Sequence, residues 1–373
     1  MTRICFLFSD LKLSNGVSRV AIAIANLLSQ REDVDITLIA LYEYEKEASK
    51  LVSPRVHVKK FFGFYFRGFD KLVDLIPHRL LYSLVLKKGN YDVEIGFQYN
   101  MPTKIVAASN NYNAAHIAWM HGYDYGLKLK DFYPKLDKVI CVSRCNSERL
   151  YKEMDGNVIT DYCYNPINDE AIVKNGNVDI SIKRNNDSVF VSVGRHSPEK
   201  GYSRLLDIVS RLKDEGYKFK LWLIGDGPTH SELIKKTEQL ELSDYVVFVG
   251  AQENPHKYTS KADVFVCSSF SEGYSTACTE AIMLGVPVIT TNVSGGEEII
   301  NESQAGLLTE MSDESLYEGM KKVLDHPELI QNWKNTLETT KQKFSQRERE
   351  KKLNEIIDWA IELSQSRKNE NGR

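Results

Sequence analysis

Short runs rich in Val, Ile, Leu and Phe alternate with amphipathic stretches along most of this 373-residue chain, and that alternation limits the fold more than any other feature. The runs are 3–8, 35–40, 56–59, 92–97, 115–120, 138–142 and 158–162, then 188–193, 219–224, 245–249, 263–267 and 287–291. Their near-continuous apolar character predicts parallel strands covered on both faces, because a strand with one wet face would alternate. Between the first two, residues 17–30 place Val20, Ile24, Leu27 and Leu28 on one helical face. Segments 202–213, 229–240 and 275–284 carry the same helical period. Alternation of this kind predicts α/β architecture.

The rhythm breaks once. Residues 168–187 hold Asn175-Gly176-Asn177, few apolar side chains and several charges, which predicts a linker. The expected organisation is therefore a Rossmann-like domain over 1–167, the linker 168–187, a second such domain over 188–344, and a helix over 345–373. In the last segment Ser345 is placed to cap a helix whose Leu353, Ile356, Ile357, Ala360 and Leu363 form an apolar face. Two doubly wound parallel-sheet domains facing a central cleft are the economical arrangement, since such sheets bind ligands at the carboxyl ends of their strands.

Composition narrows the function classes. A 42% hydrophobic, 27% charged chain is an ordinary globular protein, and its net charge of −3 provides no global field for nucleic acid. The N-terminal apolar run is soon followed by Asp10 and Lys12, too early for a signal peptide. No stretch reaches the ~18 apolar residues of a membrane span. Six cysteines without a C-x-x-C pair predict a reducing cytoplasm, with neither a disulfide framework nor a zinc site. Asp33-Val34-Asp35 has the D-x-D form associated with metal-dependent sugar transfer. It stands at the start of a strand, the edge away from a doubly wound site, so it reads as a turn and no metal is expected.

Chemistry concentrates in residues 262–300. A strand ends near Cys267, a loop carries Glu272-Gly273-Tyr274-Ser275, and a helix begins near Ser275 or Thr276. Free N–H groups at that helix start, with the dipole behind them, suit a pyrophosphate, and Gly273 permits close approach. Glu272 and Glu280 would repel the phosphates, so hydroxyl groups are their targets: ribose for Glu280, the sugar for Glu272. The plainer reading is helix-terminus charge; a capping box ending at Glu280 fails, because position 277 is Ala277. A second group, Gly194-Arg195-His196-Ser197-Pro198-Glu199-Lys200-Gly201, lies between a strand and a helix. Arg195 and Lys200 there can neutralise a diphosphate without a metal; the plainer reading is an exposed basic loop. His121 closes a first-half strand, where it either meets a reacting sugar or is a structural histidine. Ser14-Asn15-Gly16-Val17 lets the first loop turn into a helix near a ligand, although no G-x-G-x-x-G fingerprint is present.

Together these motifs resemble the family 4 glycosyltransferases. Glu272 through Glu280 matches that family's E-x7-E signature, and 194–201 resembles its G-R-x-x-x-x-K-G loop. Gly225-Asp226-Gly227-Pro228, Val249-Gly250, Leu284-Gly285-Val286-Pro287-Val288 and Gly295-Gly296 fall where the family has them. The resemblance implies the GT-B fold, transfer with retention, no metal and no cofactor beyond the nucleotide-sugar donor, UDP-linked more often than GDP-linked. It implies that Arg195 and Lys200 bind the diphosphate, Glu280 the ribose and Glu272 the donor sugar. Gly273, Tyr274, Ser275 and Thr276 would add backbone contacts, Gly16 a glycine-loop contact, and His121 would stand near the transferred sugar. It also implies that the last helix crosses back onto the first domain and that this domain holds a glycan or lipid-linked acceptor.

Other readings of a two-domain chain are a nucleotide-sugar epimerase, a phosphorylase, for which no pyridoxal lysine is identifiable, and a non-catalytic two-lobed sugar-binding protein. Finally, 58–70 reads VKKFFGFYFRGFD, with Lys59, Lys60 and Arg67 around Phe61, Phe62, Phe64, Tyr65, Phe66 and Phe69. Aromatic and basic residues mixed in this way predict peripheral contact with an anionic membrane surface, as in assembly of a bacterial surface polysaccharide; the plainer reading is a loop over the core. The neighbouring 80–85 segment is expected to be an ordinary packed helix.

Overall fold

The computed structural model describes residues 1–12, 16–66, 68–182 and 187–371. Ser14, Asn15, Arg67 and part of the expected linker, 183–186, lie outside the described residues. Two compact units emerge, Met1–Pro166 with Arg349–Arg373, and Ile167–Glu348.

The first unit is built on β1 (Thr2–Leu11), β2 (Val34–Tyr44), β3 (Val56–Lys60), β4 (Val93–Gly96), β5 (Ala115–Met120), β6 (Lys138–Cys141) and β7 (Thr160–Tyr162). They form one parallel sheet in the order β3-β2-β1-β4-β5-β6-β7. Ile4 through Phe8 are all buried, as expected of a central strand covered on both faces. The second unit contains β8 (Ser188–Val193), β9 (Phe219–Ile224), β10 (Val246–Gly250), β11 (Val264–Cys267), β12 (Val288–Thr291) and β13 (Gly306–Thr309). Their order is β10-β9-β8-β11-β12-β13, again all parallel. In each sheet the strand order reverses next to the first strand, between β1 and β4 and between β8 and β11. That reversal opens a crevice at the carboxyl ends, where doubly wound sheets take ligands.

Three expectations need correction. Strand β13 was not foreseen, because GLLT is four residues long and Leu308 faces solvent. Helices Gly296–Ser303, Asp313–Asp325 and Glu328–Thr340 complete the second unit where no element was expected. The stretch 168–187 is not wholly a linker: Asp169–Gly176 is a helix, N-capped by Asn168, whose Oδ1 accepts from Ala171 N at 2.9 Å. It is bound into the second unit by Ser260 Oγ donating to Gly176 O at 2.6 Å.

The terminal helix, Gln346–Asn371, buries Leu353, Ile356, Ile357, Ala360 and Ile361, while Leu363 is half-buried. From Arg349 onward it belongs to the first unit. Arg367 grips Asp137 through Nη2 and Nη1, at 2.5 and 2.8 Å, and Arg31 pairs with Asp358 at 2.7 Å. The Lys138 ammonium lies 3.7 Å from the Trp359 ring centre. Apolar burial supplies the energy of this docking and the ion pairs fix its register. Replacing fully buried Ile357 by Ala should therefore lower stability by about 2–4 kcal/mol, read as a reduced urea midpoint with the slope unchanged.

Candidate functional site

Two loops meet at the reversal point of the second sheet. One follows β8 and runs from Gly194 to Gly201; the other follows β11 and enters helix Thr276–Met283. Their backbones touch. Gly201 adopts φ +66°, and a Cβ there would sit 2.1 Å from Ser268 O, so both its conformation and its surroundings demand glycine. Phe270 N donates to Glu199 O at 2.7 Å, and Ser268 Oγ to Lys200 O at 2.9 Å. Gly225 is placed by the same logic: at φ +138° it packs against Gly194, and a Cβ would meet Gly194 O at 1.9 Å.

Arg204, which sequence reasoning passed over, fastens this junction. Its buried guanidinium donates to Ser268 O from Nε at 2.9 Å and from Nη2 at 2.5 Å, to Ser269 O at 2.9 Å and to Met311 O at 2.8 Å. It also lies 3.9 Å from the Phe270 ring centre and 3.5 Å from Asp313. Its place among the apolar residues of the first turns of helix Tyr202–Asp214 gave no sign of this role.

On that frame Lys200 Nζ donates to Glu272 Oε1 at 2.7 Å, and Ser269 Oγ donates to the same oxygen at 2.6 Å. Burial alone would depress the Lys200 ammonium, but the Glu272 carboxylate beside it outweighs burial and holds it above the usual range. Arg195 is exposed. Ser275 caps helix Thr276–Met283, its Oγ accepting from Cys278 N at 3.3 Å. The cap leaves the N–H groups of Thr276 and Ala277 at the helix start, which have no partner within the helix. Tyr274 lies against Gly295, and Gly273 O accepts from Ser294 Oγ at 3.0 Å. One turn along, Glu280 Oε2 stands 3.3 Å from His256 Nε2, at ion-pairing distance but outside hydrogen-bond geometry. His256 is a second residue the sequence did not single out.

The first sheet assembles a different set at its own reversal point. A cavity of about 380 Å³ lies between the ends of β1 and β4, lined by Asp10, Tyr42, Tyr65, Asp70, Gln98 and Asn100 among others. Asp10 Oδ1 and the Tyr42 hydroxyl are buried without a hydrogen-bond partner among the described residues, and burial raises the Asp10 carboxyl above its usual range. Asn100 holds φ 71°, ψ −130°, a strained conformation for a side-chain-bearing residue. Gly16 opens helix Gly16–Leu28 beyond β1. His121 follows β5 and packs edge-on against Phe97 at 4.7 Å between ring centres. Burial lowers its pKa to about 3, only partly offset by a hydrogen bond to the Phe97 backbone, and its Nε2 has no partner among the described residues. At the opposite end of this sheet, Asp33 is held by Arg31 at 2.7 Å and Asp35 faces His57 at 3.2 Å. No group of three metal-ligating side chains gathers among the described residues.

Residues 174–339 match the family described as glycosyl transferases group 1. The chain is 31% identical over 217 residues to the N-acetylgalactosamine-N,N'-diacetylbacillosaminyl-diphospho-undecaprenol 4-alpha-N-acetylgalactosaminyltransferase of Campylobacter jejuni. That match covers 57% of each chain, a little over half the relative's length. An uncharacterized glycosyltransferase of Methanocaldococcus jannaschii is 25% identical over 329 residues, 84% of this chain and 86% of that one. Among solved structures, Anabaena HepE in complex with UDP superposes with a TM-score of 0.74 at 17% identity, covering 96% of this chain and all of that one. The fold is thereby the GT-B type.

Two outcomes follow from the side chains just described. Arg204→Lys removes the planar fork and leaves at least one buried carbonyl unsatisfied, so stability should fall by about 1–3 kcal/mol in a denaturant titration. His121 accepts a proton near pH 6.5 when unfolded but only near pH 3 when folded. The stability it contributes is therefore complete above about pH 6.5 and is lost as pH falls towards 3. Urea midpoints measured from pH 7.5 to 5 should decline, and the decline should be shallower in His121→Gln.

Proposed function

We propose that this chain, whose residues 174–339 match the glycosyl transferases group 1, moves a hexosyl group from a UDP-sugar onto a hydroxyl of a glycan or lipid-linked acceptor. The observation that carries this reading is the Lys200–Glu272 pair, held by two interlocked loops beside the open start of helix Thr276–Met283. Cations and helix N–H groups at one spot answer a diphosphate, and a carboxylate joined to one of those cations answers the sugar next to it. In this reading Arg195 and Lys200 bind the diphosphate, Thr276 and its neighbours Gly273, Tyr274 and Ser275 supply backbone contacts, Glu280 holds the ribose and Glu272 the donor sugar. Gly16 and His121 are proposed as contacts of the donor phosphate and of the transferred sugar.

The bond from the anomeric carbon to the diphosphate oxygen breaks as the acceptor oxygen bonds to that carbon from the same face, which retains configuration. The bonding pair leaves with the nucleoside diphosphate, and the acceptor proton passes to the departing phosphate oxygen. Arg195 and Lys200 meet the charge that develops there, so no metal is needed for it. His121, neutral near pH 7, offers a lone pair or an N–H to a sugar hydroxyl without adding charge. The UDP bound in the Anabaena structure supports the choice of nucleotide, and the Campylobacter relative's name, with its diphospho-undecaprenol, supports a lipid-linked acceptor. Such an acceptor places the work at the inner face of a bacterial membrane, in assembly of a surface polysaccharide.

Glu280→Ala should weaken UDP binding in a calorimetric titration, whereas Glu272→Ala should leave UDP binding near native and reduce sugar transfer. Equal loss of UDP affinity in both would overturn the assignment. Arg195→Ala and Lys200→Ala should each lower kcat about a hundredfold, and activity should persist in a chelator. Thermal shift against a panel of nucleotide sugars identifies the donor, which alone should raise Tm strongly.

A further inference from the structure

The segment 58–89 departs from the rest of the chain in charge. It carries seven Lys or Arg residues against Asp70 and Asp74, in a protein whose net charge is −3. Its aromatic cluster is largely internal. Phe61 and Phe62 pack against the core, and Phe69 is buried at the centre of a group of rings. Arg67 lies outside the described residues. The plainer reading of 58–70 therefore holds for Phe61, Phe62 and Phe69, while Phe64, Tyr65 and Phe66 are exposed.

The next two helices, Phe69–Val73 and His78–Val85, extend that apolar exposure. Val73, Leu81 and Tyr82 face the core, as a packed helix requires. Leu72, Leu80 and Leu84 nonetheless stand 51–53% exposed, and Leu75, between the helices, 80%. The 80–85 segment is thus apolar on two faces, which corrects the expectation of an ordinary packed helix. A helix that already buries one face and turns leucines outward on another has a second apolar environment to meet.

Two basic cavities flank helix His78–Val85. One, of about 330 Å³, is lined by His78, Arg79, Lys104, Lys135 and Phe132. The other, of about 270 Å³, is lined by Arg3, Lys59, Lys60 and Lys88, with Leu84 at its side. Among the described residues neither has a carboxylate in its lining. Asp74 offsets part of the first from outside, bonding Lys104 Nζ at 2.6 Å and standing 3.4 Å from His78.

We infer that this face is a docking surface for an anionic phospholipid bilayer: Leu75, Leu80, Leu84 and Phe64 enter the acyl boundary, and the two cavities receive headgroup phosphates. Leucines between cations match the layering of a bilayer surface, apolar below and anionic above. The surface uses none of the residues of the proposed transfer site, so it stands or falls independently of sugar transfer.

Flotation of the full chain without nucleotide tests it. Native protein should float with phosphatidylcholine vesicles containing phosphatidylglycerol and remain behind with phosphatidylcholine alone. The combined variant Leu75→Glu, Leu80→Glu, Leu84→Glu should partition at least about tenfold less, with an unchanged melting curve because all three side chains are exposed. Lys59→Gln with Lys60→Gln and Lys88→Gln should reduce partitioning about a hundredfold at low salt. Failure of the native chain to float, or leucine and lysine variants that float as well as native, would refute the inference. Loss in the lysine variant alone, with inorganic phosphate displacing the vesicles, would show a free-phosphate site and also refute it. Donor hydrolysis, measured on the leucine variant in detergent-free buffer, should match native. A chain that floats but never cleaves a donor would fault the transfer reading and leave this one intact.

Discussion

Three backbone carbonyls, of Ser268, Ser269 and Met311, converge on the buried guanidinium of Arg204. At the carboxyl end of a parallel sheet the strand's last carbonyls run out of ladder partners just where the chain must turn. Leaving them dry and unpaired would cost about 1–3 kcal/mol each. A planar fork satisfies several at once, and its charge is offset by Asp313 at 3.5 Å and by the face of Phe270. With the loop after β11 fixed, Ser268 Oγ and Phe270 N reach across to the loop after β8. Only then can Lys200 and Glu272, 72 positions apart, meet at 2.7 Å. The pairing of a half-buried ammonium with a half-buried carboxylate thus depends on a residue that touches neither.

How much of this could be read beforehand depends on the range of the interaction. Strands such as 115–120, 188–193 and 219–224 are legible because a run of apolar residues is a local fact, and those three coincide with β5, β8 and β9. The positions of Arg195, Lys200, Glu272 and Glu280 on strand-end loops are likewise set by strand–loop–helix order. Arg204 was not legible: an arginine three residues into an amphipathic helix has the same local signature whether its head snorkels to water or turns inward. His256 was hidden for a similar reason, since its nearness to Glu280 crosses 24 positions and two elements. The helix at 169–176 was lost to its Asn and Gly content, yet Asn168 was serving as the N-cap that begins it.

The outward leucines of helix His78–Val85 show the same limit from the other side. Leu80, Leu81, Leu84 and Val85 satisfy a helical period, and periodicity assigns them all to a core. It cannot say that Leu81 joins the buried cluster that holds Phe69 and Val73 while Leu84 borders a cavity with Lys59, Lys60 and Lys88. The distinguishing cue was charge. Lys59 and Lys60 are far from Lys88 in sequence, and the fold gathers all three around one cavity. The plainer reading of 58–70, a loop over the core, holds for Phe61, Phe62 and Phe69 and not for Phe64, Tyr65 and Phe66, which are exposed.

The two sheets share their strand order but not their edge chemistry. After β8 and β11 the chain presents cations, an open helix start and one shared carboxylate; the crevice at the ends of β1 and β4 is lined instead by Asp10, Asp70 and tyrosines. Topology places a crevice at both reversals, and the loops, which carry little of the folding energy, decide what it attracts. A site rich in cations and N–H donors favours phosphate oxygens. One whose Asp10 Oδ1 lacks a donor favours ligands that bring donors of their own, as the hydroxyls of a sugar do. The strain at Asn100 belongs to this second crevice, where φ 71° on a non-glycine residue holds the turn between β4 and helix Met101–Ala107 in a shape relaxed backbone would not keep. Such strain persists only where surrounding contacts over-determine it. Thr103 Oγ1, donating to Gln98 O at 2.9 Å, and Gln98 Oε1, accepting from Ser9 N at 2.7 Å, are the bonds that do so, and they tie the strained turn directly to the strand bearing Asp10.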